Sequence, residues 1–250
     1  MRVLVACEYS GRVRDAFAAL GHQAMSCDLL PTESPGLHWQ GDIVAVLDGW
    51  MPVEYTADCD PDGDGWCVTT DSDPSDCQCI GPTQDGIEYM ERRGILFGRP
   101  IARPNWDLMI AHPPCTYLAV SGLHWNGRVP GRAEKTEEAL DFVRLLMNAP
   151  IDRICVENPV SCISSRIRKP DQIIQPWWFG DDASKKTCLW LKNLPPLVPT
   201  DKLPGDDKTR RANQTPSGQN KLGPSPDRWK ERSRTYPGIA AAMAQQWGSL

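Results

Sequence analysis

The fold of this 250-residue chain is decided by residues 2–28, RVLVACEYSGRVRDAFAALGHQAMSCD. Residues 2–6 have the short apolar character of a buried strand, and residues 23–28 predict a second strand. Between them, residues 11–20 repeat apolar side chains at helical spacing and stop at Gly21. We expect the inner face of this helix to consist of Val13, Phe17 and Leu20. The order strand, helix, strand predicts a parallel α/β unit.

The same alternation continues along the chain. Apolar runs predict a strand that ends near 41–43 and further strands over 106–111, 153–157 and 187–191. Helical spacing predicts helices over 134–147 and 236–247. Strands that alternate with helices indicate an α/β fold, with a mainly parallel sheet and helices on both faces. Ligands of such sheets bind beyond the carboxyl ends of the strands.

Composition limits the classes of protein to consider. Hydrophobic residues make up 40% of the chain and charged residues 24%, which is typical of a globular domain. No apolar run is long enough to span a membrane, and Met1–Ala6 enters a strand pattern without the features of a signal peptide. The ten cysteines therefore point to a reducing compartment rather than to disulfides. We expect a cytoplasmic, monomeric protein with no membrane partner.

Two regions interrupt the α/β pattern and divide the chain. Residues 54–98 are acidic and contain cysteines, and we interpret them as an insertion in a main domain over 1–191. Residues 192–235 are irregular and rich in proline, glycine, asparagine and charge. Residues 236–250 then form a C-terminal helix that returns to the main domain.

The irregular segment is locally basic, although the chain carries a net charge of −5. A run of cations could follow the phosphate backbone of a nucleic acid. The alternative is a solvated loop, which is the more common outcome for a run of charges. The candidate nucleic-acid-binding residues of this segment are Arg210, Arg211, Lys221, Arg228 and Lys230.

Four closely spaced cysteines in the insertion form a candidate metal site. Their thiolates could hold one structural zinc ion, although the spacing is not that of paired C-x-x-C motifs. Residues 60–65, followed by Asp71, approach the spacing of a calcium loop, but no flanking helices are evident. An acidic loop without metal is the third possibility. The zinc hypothesis involves Cys59, Cys67, Cys77 and Cys79.

Acidic and small residues follow the first strands, at the edge where ligands of such sheets bind. Cys7–Gly11 opens the first helix, where Gly11 allows close backbone approach and the helix N-terminus offers unpaired N–H groups. Asp28 follows the second strand, where an acid accepts hydrogen bonds from ribose hydroxyls in nucleotide-binding sheets. Asp42 is a third acid near this edge. A plain surface turn is the alternative for Asp28.

Cys115 is the sharpest feature of the sequence. It follows a strand and the pair Pro113-Pro114, which stiffens the backbone and aims the thiol at the cleft rather than at the core. The usual role of a free cysteine, packing as a small buried hydrophobe, is the alternative. Glu157 ends the next predicted strand. Because adjacent parallel strands end side by side, the thiol and this carboxyl group could face one pocket.

At these residues the sequence resembles the DNA cytosine-5 methyltransferase family, in pieces between residues 3 and 191 and again at 234–248. His112–Gly122 is similar to the family's catalytic loop, in which Pro-Cys is followed six residues later by Ser-Gly. Val156–Pro159 is similar to its Glu-Asn-Val motif. The resemblance implies a Rossmann-like, S-adenosylmethionine-dependent methyltransferase fold. It also implies a compact phage or prophage enzyme that protects viral DNA from restriction or prepares cytosines for further modification.

The resemblance implies that S-adenosylmethionine binds at the strand ends. Asp28 matches the family's ribose-binding acid, and Leu29 matches the apolar residue that covers adenine. Asp42-Ile43 matches the segment that holds the adenine amino group, and Tyr236–Gly238 looks like the last motif, which returns to this pocket. The implied cofactor-binding residues are Cys7, Glu8, Tyr9, Ser10, Gly11, Asp28, Leu29, Asp42, Ile43 and Pro113.

The resemblance also implies a reaction on double-stranded DNA. The Cys115 thiolate adds to C6 of a flipped cytosine, Glu157 assists at N3, and the methyl group is transferred to C5. Ser121 of the catalytic loop contacts the DNA, and residues 192–235 form a short target-recognition segment.

The sequence departs from the family at several positions. Lys185 and Lys186 stand where the family has a Gln-x-Arg-x-Arg motif that contacts the base and the nearby backbone, and lysine lacks the planar fork of arginine. We nevertheless include both lysines in the catalytic set. The first loop lacks the Phe-x-Gly-x-Gly pattern, Pro159 replaces a valine, and the last motif lacks its Gly-Asn.

Three alternatives stay open at this point. An amino-methyltransferase, acting on cytosine N4 or adenine N6, would carry an aromatic residue after the Pro-Pro pair, where this chain has Cys115. A decayed methyltransferase fold could serve as a nucleic-acid-binding module. The substrate could also be RNA or a free nucleotide, because the basic segment suits either nucleic acid.

Overall fold

A computed structural model of the chain describes residues 1–48, 50–52, 98–100 and 106–250. Its strands are β1 (Arg2–Ala6), β2 (Gln23–Asp28), β3 (His38–Gln40), β4 (Trp50–Pro52), β5 (Gly98–Pro100), β6 (Leu108–Ala111), β7 (Arg153–Pro159), β8 (Gln172–Ile174) and β9 (Thr187–Lys192). Its α-helices are α1 (Arg12–Ala18), α2 (Ile43–Leu47), α3 (Val120–Leu123), α4 (Arg132–Met147), α5 (Ile163–Arg166), α6 (Arg228–Ser233) and α7 (Pro237–Trp247). A 3₁₀ turn covers Pro176–Trp178.

Seven of these strands form one sheet in the order β3-β2-β1-β6-β7-β9-β8. The first five of this order run parallel to one another. Strand β9 lies antiparallel between β7 and β8. Strands β4 and β5 pair separately as an antiparallel ribbon. The α/β fold with a mainly parallel sheet, predicted from the alternation of strands and helices, is confirmed, and it is Rossmann-like, as the family resemblance implied.

Helices cover both faces of the sheet because successive residues of each strand point to opposite sides. From β1, Leu4 packs in one core cluster with Leu140 of α4. Val5 packs in the other cluster with Phe17 of α1 and Met243 of α7. Among the described residues, no helix combines the length and the apolar character needed to cross a membrane.

The inner face of α1 is shorter than predicted. Val13 and Phe17 are fully buried, but the helix ends at Ala18, and Leu20 lies beyond it with 50% of its surface exposed. The chain turns at Gly21, which has a φ of 82°, in order to enter β2. This turn carries Leu20 off the helical face, so its predicted place in the core is wrong.

The third strand lies earlier in the chain than predicted. It is β3 and ends at Gln40, whereas Ile43 begins α2. The physical reason is helix capping, because Asp42 Oδ1 accepts a hydrogen bond from the Val44 N–H at 2.9 Å. Strand β8 and helix α6 are also missing from the sequence prediction, since elements of 3 and 6 residues carry little periodicity.

The carboxyl ends of the parallel strands bring several chemically active side chains to one edge. Ala6 pairs with Cys27 on one side and with Ala111 on the other. Ala111 in turn pairs with Val156 of β7. The residues that follow these positions at the edge are Cys7, Asp28, His112 and Glu157.

We expect Gly238→Ala to destabilise the fold, because a Cβ at this position of α7 would overlap the backbone carbonyl of Phe179. The Gly238 N–H also donates to Asp181 Oδ2 at 2.9 Å, so the helix cannot move away without losing this bond. Overpacking of this kind costs about 1–3 kcal/mol of unfolding free energy, which urea denaturation measures. Gly127→Ala is the control, since nothing lies within 4 Å of the added Cβ there. Equal losses in the two variants would contradict the packing argument.

Candidate active site

The loop that carries Cys115 is held between the ends of β6 and β7. The Pro113 carbonyl accepts a hydrogen bond from Asn158 Nδ2 at 2.8 Å. The Cys115 carbonyl accepts from the Leu118 and Ala119 N–H groups at 3.0 and 2.9 Å, which closes a turn behind the thiol. Cys115 itself is exposed, unlike the buried cysteines of the strands. The stiff backbone expected from the two prolines therefore presents this residue at the surface of the edge and not in the core.

Glu157 lies beside this loop and is buried on β7. Its Oε2 is 2.9 Å from His112 Nδ1. Burial by itself raises the pKa of Glu157, but the positive charge of Lys185 and the hydrogen bond from His112 outweigh burial and lower the pKa below its ordinary value. The side chain is therefore an anion at neutral pH.

The Cys115 thiol responds to the same groups. Desolvation by the surrounding protein raises its pKa, and the negative charge of Glu157 raises it further. The positive charges of Lys185 and Arg232 act in the opposite direction. The thiol is thus mainly protonated at neutral pH, and its reactivity depends on the balance between one carboxylate and two cations.

Lys185 reaches this edge because β9 runs antiparallel to β7 and begins where β7 ends. The Lys185 N–H donates to Gln175 Oε1 at 3.0 Å, which fixes the backbone just before the strand. Lys186 is exposed, and its Nζ lies 3.7 Å from Asp207 Oδ2. Of the two predicted lysines, the structure therefore brings Lys185 into the electrostatic field of Cys115 and Glu157 and directs Lys186 to a surface ion pair.

The residues predicted to bind a nucleoside lie at the ends of β2 and β3. Asp28 Oδ1 accepts from the Leu30 N–H at 2.9 Å. Burial raises the pKa of Asp28, while the Leu30 and Leu29 N–H groups and the charge of His112 lower it in part. Leu29 is 73% exposed beside this carboxylate. The end of β2 therefore presents a half-buried carboxylate next to an exposed apolar side chain.

The neighbouring positions contribute less accessible groups. Ile43 is buried as the first residue of α2, and Asp42 is exposed as the cap of that helix. Cys7 has a φ of 59° and lies in the strained turn after β1. Burial and the charges of Asp28 and Asp42 raise the pKa of Cys7, so its thiol is inert at neutral pH. Any contact of Cys7 with a ligand would involve its backbone.

The first loop differs from its sequence-based description. The N-terminus of α1 was expected to offer unpaired N–H groups, but the buried Glu8 carboxylate accepts from the Val13 and Arg14 N–H groups at 2.7 and 3.3 Å. Ser10 Oγ donates to the same carboxylate at 3.2 Å. A carboxylate is stabilised at a helix N-terminus, which explains why Glu8 occupies this position. The prediction of free N–H groups there is wrong.

A C-terminal strap, which we define as residues 228–236, lies over this first loop. Tyr9 OH donates to the Lys230 carbonyl at 2.7 Å. Arg12 Nη1 donates to the Thr235 carbonyl at 2.8 Å. Arg234 donates to both oxygens of Glu33 at 2.8 and 2.6 Å. These bonds explain how Arg232, within the strap, comes close enough to influence Cys115.

The predicted DNA-binding residues occupy different environments. Ser121, Arg210 and Lys221 are exposed, and Arg228 and Lys230 are half-buried on the strap. Arg211 is buried, with its guanidinium carbon 4.5 Å from the centroid of the Trp177 ring. The surface cations of the irregular segment therefore do not include Arg211, whose side chain is buried against Trp177.

The predicted metal site cannot be compared with the structure, because the four cysteines of the zinc hypothesis lie outside the described residues. Among the residues that the structure describes, no group of three or more histidine, cysteine, aspartate or glutamate side chains is arranged to hold a metal ion. Zinc and calcium in the insertion stay predictions.

Three residues of the site have no role in the sequence prediction. His112 appears there only as a member of the catalytic-loop motif, although it directly follows one predicted strand and the next predicted strand ends at Glu157. Its position one residue past the end of a predicted strand is the sequence signal that could have indicated His112. Arg232 and Gln175 act through contacts between segments far apart in the chain, and no local pattern indicates them.

Comparison with known proteins gives a distant structural likeness. No protein-family model and no curated protein matches the chain. Among solved structures, the chain is similar to a protein named as a DNA modification methyltransferase encoded within an Escherichia coli prophage. The two are 11% identical with a TM-score of 0.35, and the match covers 76% of this chain and 46% of that one. The chain thus corresponds to less than half the length of this neighbour.

We expect the alkylation rate of Cys115 by iodoacetamide to report the charges around it. Glu157→Gln removes the anion that raises the pKa of Cys115, so the thiolate fraction and the alkylation rate at pH 8 should increase several-fold. Lys185→Gln removes a cation that lowers this pKa, so the rate should decrease. Peptide mass spectrometry separates Cys115 from the other cysteines. Equal rates in the two variants would contradict the arrangement of charges.

Proposed function

We propose that the protein is a DNA cytosine-5 methyltransferase with Cys115 as its nucleophile. The observation that carries the proposal is the convergence of an exposed thiol, a buried anionic carboxylate and a lysine at the carboxyl edge of a Rossmann-like sheet. A cysteine that served only for packing would lie in the core, as Cys155 does.

The chemistry of cytosine requires such a pair. Its C5 is too weak a nucleophile to attack a methyl donor, so the Cys115 thiolate first adds to C6 and makes C5 an enamine carbon. The raised pKa of Cys115 means that this addition needs activation, and Lys185 and Arg232 are the cations that stabilise the thiolate. After methylation, loss of the C5 proton and elimination of the thiolate restore the aromatic ring.

Glu157 assists at N3 of the base. As the thiolate adds to C6, N3 becomes more basic and takes up a proton from water, and the anionic carboxylate stabilises the new N3–H by accepting its hydrogen bond. The lowered pKa of Glu157 suits this role, because the group stays ionised while it faces the base. The base must leave the duplex stack in order to reach a residue this deeply buried.

The proposed cofactor is S-adenosylmethionine, which supplies an electrophilic methyl group when it is bound. Asp28 would hold the ribose hydroxyls and Leu29 would cover the adenine ring, with Asp42 near the amino group. Glu8 organises the first loop by capping α1, and Tyr9 joins that loop to the strap. In this proposal the loop binds through its shape and not through free N–H groups at the helix N-terminus.

Double-stranded DNA is the proposed substrate. Residues 192–235 supply the exposed cations Arg210 and Lys221, and the strap adds Arg232 beside the thiol. Phosphate contacts of this kind position a duplex and make its affinity dependent on salt. We propose that this segment reads the target sequence and that Ser121 contacts the strand carrying the cytosine.

Covalent trapping tests the nucleophile. DNA that contains 5-fluorocytosine cannot lose its C5 substituent after methylation, so the wild-type protein with S-adenosylmethionine should form a complex that survives denaturing electrophoresis. Cys115→Ser should abolish that complex. Cys188→Ser is a control, because Cys188 lies on β9 and is buried away from solvent. Methyl transfer that persists in Cys115→Ser would instead support an amino-methyltransferase, and absence of both binding and transfer would support a binding module.

Cofactor affinity tests the assignment of Asp28. We expect Asp28→Ala to weaken S-adenosylmethionine binding about 10- to 100-fold, since a hydrogen bond to a charged group is worth about 1.5–3 kcal/mol. Asp48→Ala, at the exposed end of α2, is the matched control and should bind as the wild type does. Isothermal titration calorimetry measures both. Unchanged affinity in Asp28→Ala would place the nucleoside elsewhere.

A further inference from the structure

A buried histidine contacts the carboxylate that the proposed reaction uses. His112 directly follows β6, and Glu157 occupies the equivalent position on the adjacent strand, one residue beyond the registered pair Ala111 and Val156. His112 Nδ1 lies 2.9 Å from Glu157 Oε2. The exposed fractions of the two side chains are only 8% and 9%. The contact is therefore a direct consequence of strand register in a parallel sheet.

The backbone around this histidine is fixed on both sides. The His112 N–H donates to the Ala6 carbonyl of β1 at 2.9 Å. The next residue, Pro113, has a restricted backbone, and its carbonyl accepts from Asn158 Nδ2 at 2.8 Å. Asn158 directly follows Glu157, so the two strands are held together on each side of the imidazole–carboxylate contact.

The carboxylate determines which atom donates in this contact. An ionised carboxylate has no hydrogen to donate, so the hydrogen of the bond belongs to Nδ1 of the imidazole. The other ring nitrogen, Nε2, is buried and has no hydrogen-bond partner among the described residues. His112 therefore donates from Nδ1 to Glu157 Oε2. In the described part of the chain, the carboxylate receives no other hydrogen bond.

We propose that His112 is a positioning residue that fixes the Glu157 carboxylate, with Oε2 bound to the imidazole and Oε1 presented to the ring nitrogen of the flipped base. The inference rests on the proposed function, since it assigns a supporting residue to the same reaction. Lys185 attracts the same carboxylate from the start of β9. Without the N–H of His112, the carboxylate would turn toward this cation and away from the base.

A matched pair of amide variants tests the geometry. His112→Asn keeps an N–H donor near the position of Nδ1, whereas His112→Gln moves the donor to the position of Nε2. Both remove the imidazole and both are neutral. We expect single-turnover methyl transfer to decrease less than about threefold in His112→Asn and about tenfold or more in His112→Gln, because the lost bond is to a charged group. Cofactor affinity should be unchanged in both, which reports folding.

The pH dependence of the rate gives a second readout. The transition that belongs to Glu157 is identified by its absence in Glu157→Gln. Since the hydrogen bond from His112 lowers the pKa of Glu157, this transition should move to higher pH in His112→Gln and stay near the wild-type position in His112→Asn. The other titratable groups around the carboxylate, which the variants leave in place, are Cys115, Cys155, Lys185 and Cys188.

The outcomes separate this inference from the proposed function. Absence of methyl transfer and of covalent trapping in the wild type would overturn the function itself. An active wild type with equal rates and equal pH transitions in the two amide variants would overturn only the role of His112. If His112→Gln does not fold, His112→Asn alone decides, because a loss of about tenfold despite its retained donor contradicts positioning through Nδ1.

Discussion

The buried negative charge of Glu157 constrains the rest of the site. A carboxylate inside a protein is costly unless hydrogen bonds and opposite charges compensate for lost hydration. Here the compensation comes from His112 on one side and from Lys185 on the other. His112 follows β6 and Lys185 precedes β9, while Glu157 lies on β7. The ends of these three strands must therefore lie side by side for the buried charge to be tolerated. The antiparallel direction of β9 is what brings Lys185 to this edge.

The same charge sets the properties of the thiol. Glu157 makes the Cys115 thiolate less stable, and the cations Lys185 and Arg232 offset this effect. Arg232 belongs to the strap, which is attached to the first loop by Tyr9 and to the loop between β2 and β3 by Glu33. The proposed cofactor loop, the proposed nucleophile and the basic segment are therefore linked by one short stretch of chain.

Much of this arrangement could be predicted from local patterns. Strand and helix periodicity located β1, α1 and β2, and the carboxyl ends of the predicted strands pointed to Cys115, Glu157 and Asp28. The predictions that were wrong concern helix caps and turns, which the local pattern of hydrophobic residues does not reveal. Glu8 takes the N–H groups of α1, and Asp42 starts a helix where a strand end was expected.

Other parts of the site depend on contacts between distant segments. Lys185 and Lys186 are equivalent in sequence, but only their packing against Gln175 and Asp207 separates their roles. Arg211 belongs to a basic run, but it packs on Trp177 instead of facing solvent. The contact partner of each of these residues is 10 or more positions away in the chain, so the sequence alone could not distinguish them.

The chemical identity of the product tests the central claim most directly. Duplex DNA is incubated with the protein and S-adenosylmethionine carrying a deuterated methyl group, digested to nucleosides and analysed by mass spectrometry. The account predicts deuterated 5-methyldeoxycytidine that disappears in Cys115→Ser. Deuterated N4-methyldeoxycytidine or N6-methyldeoxyadenosine, or label in RNA and not in DNA, would contradict it.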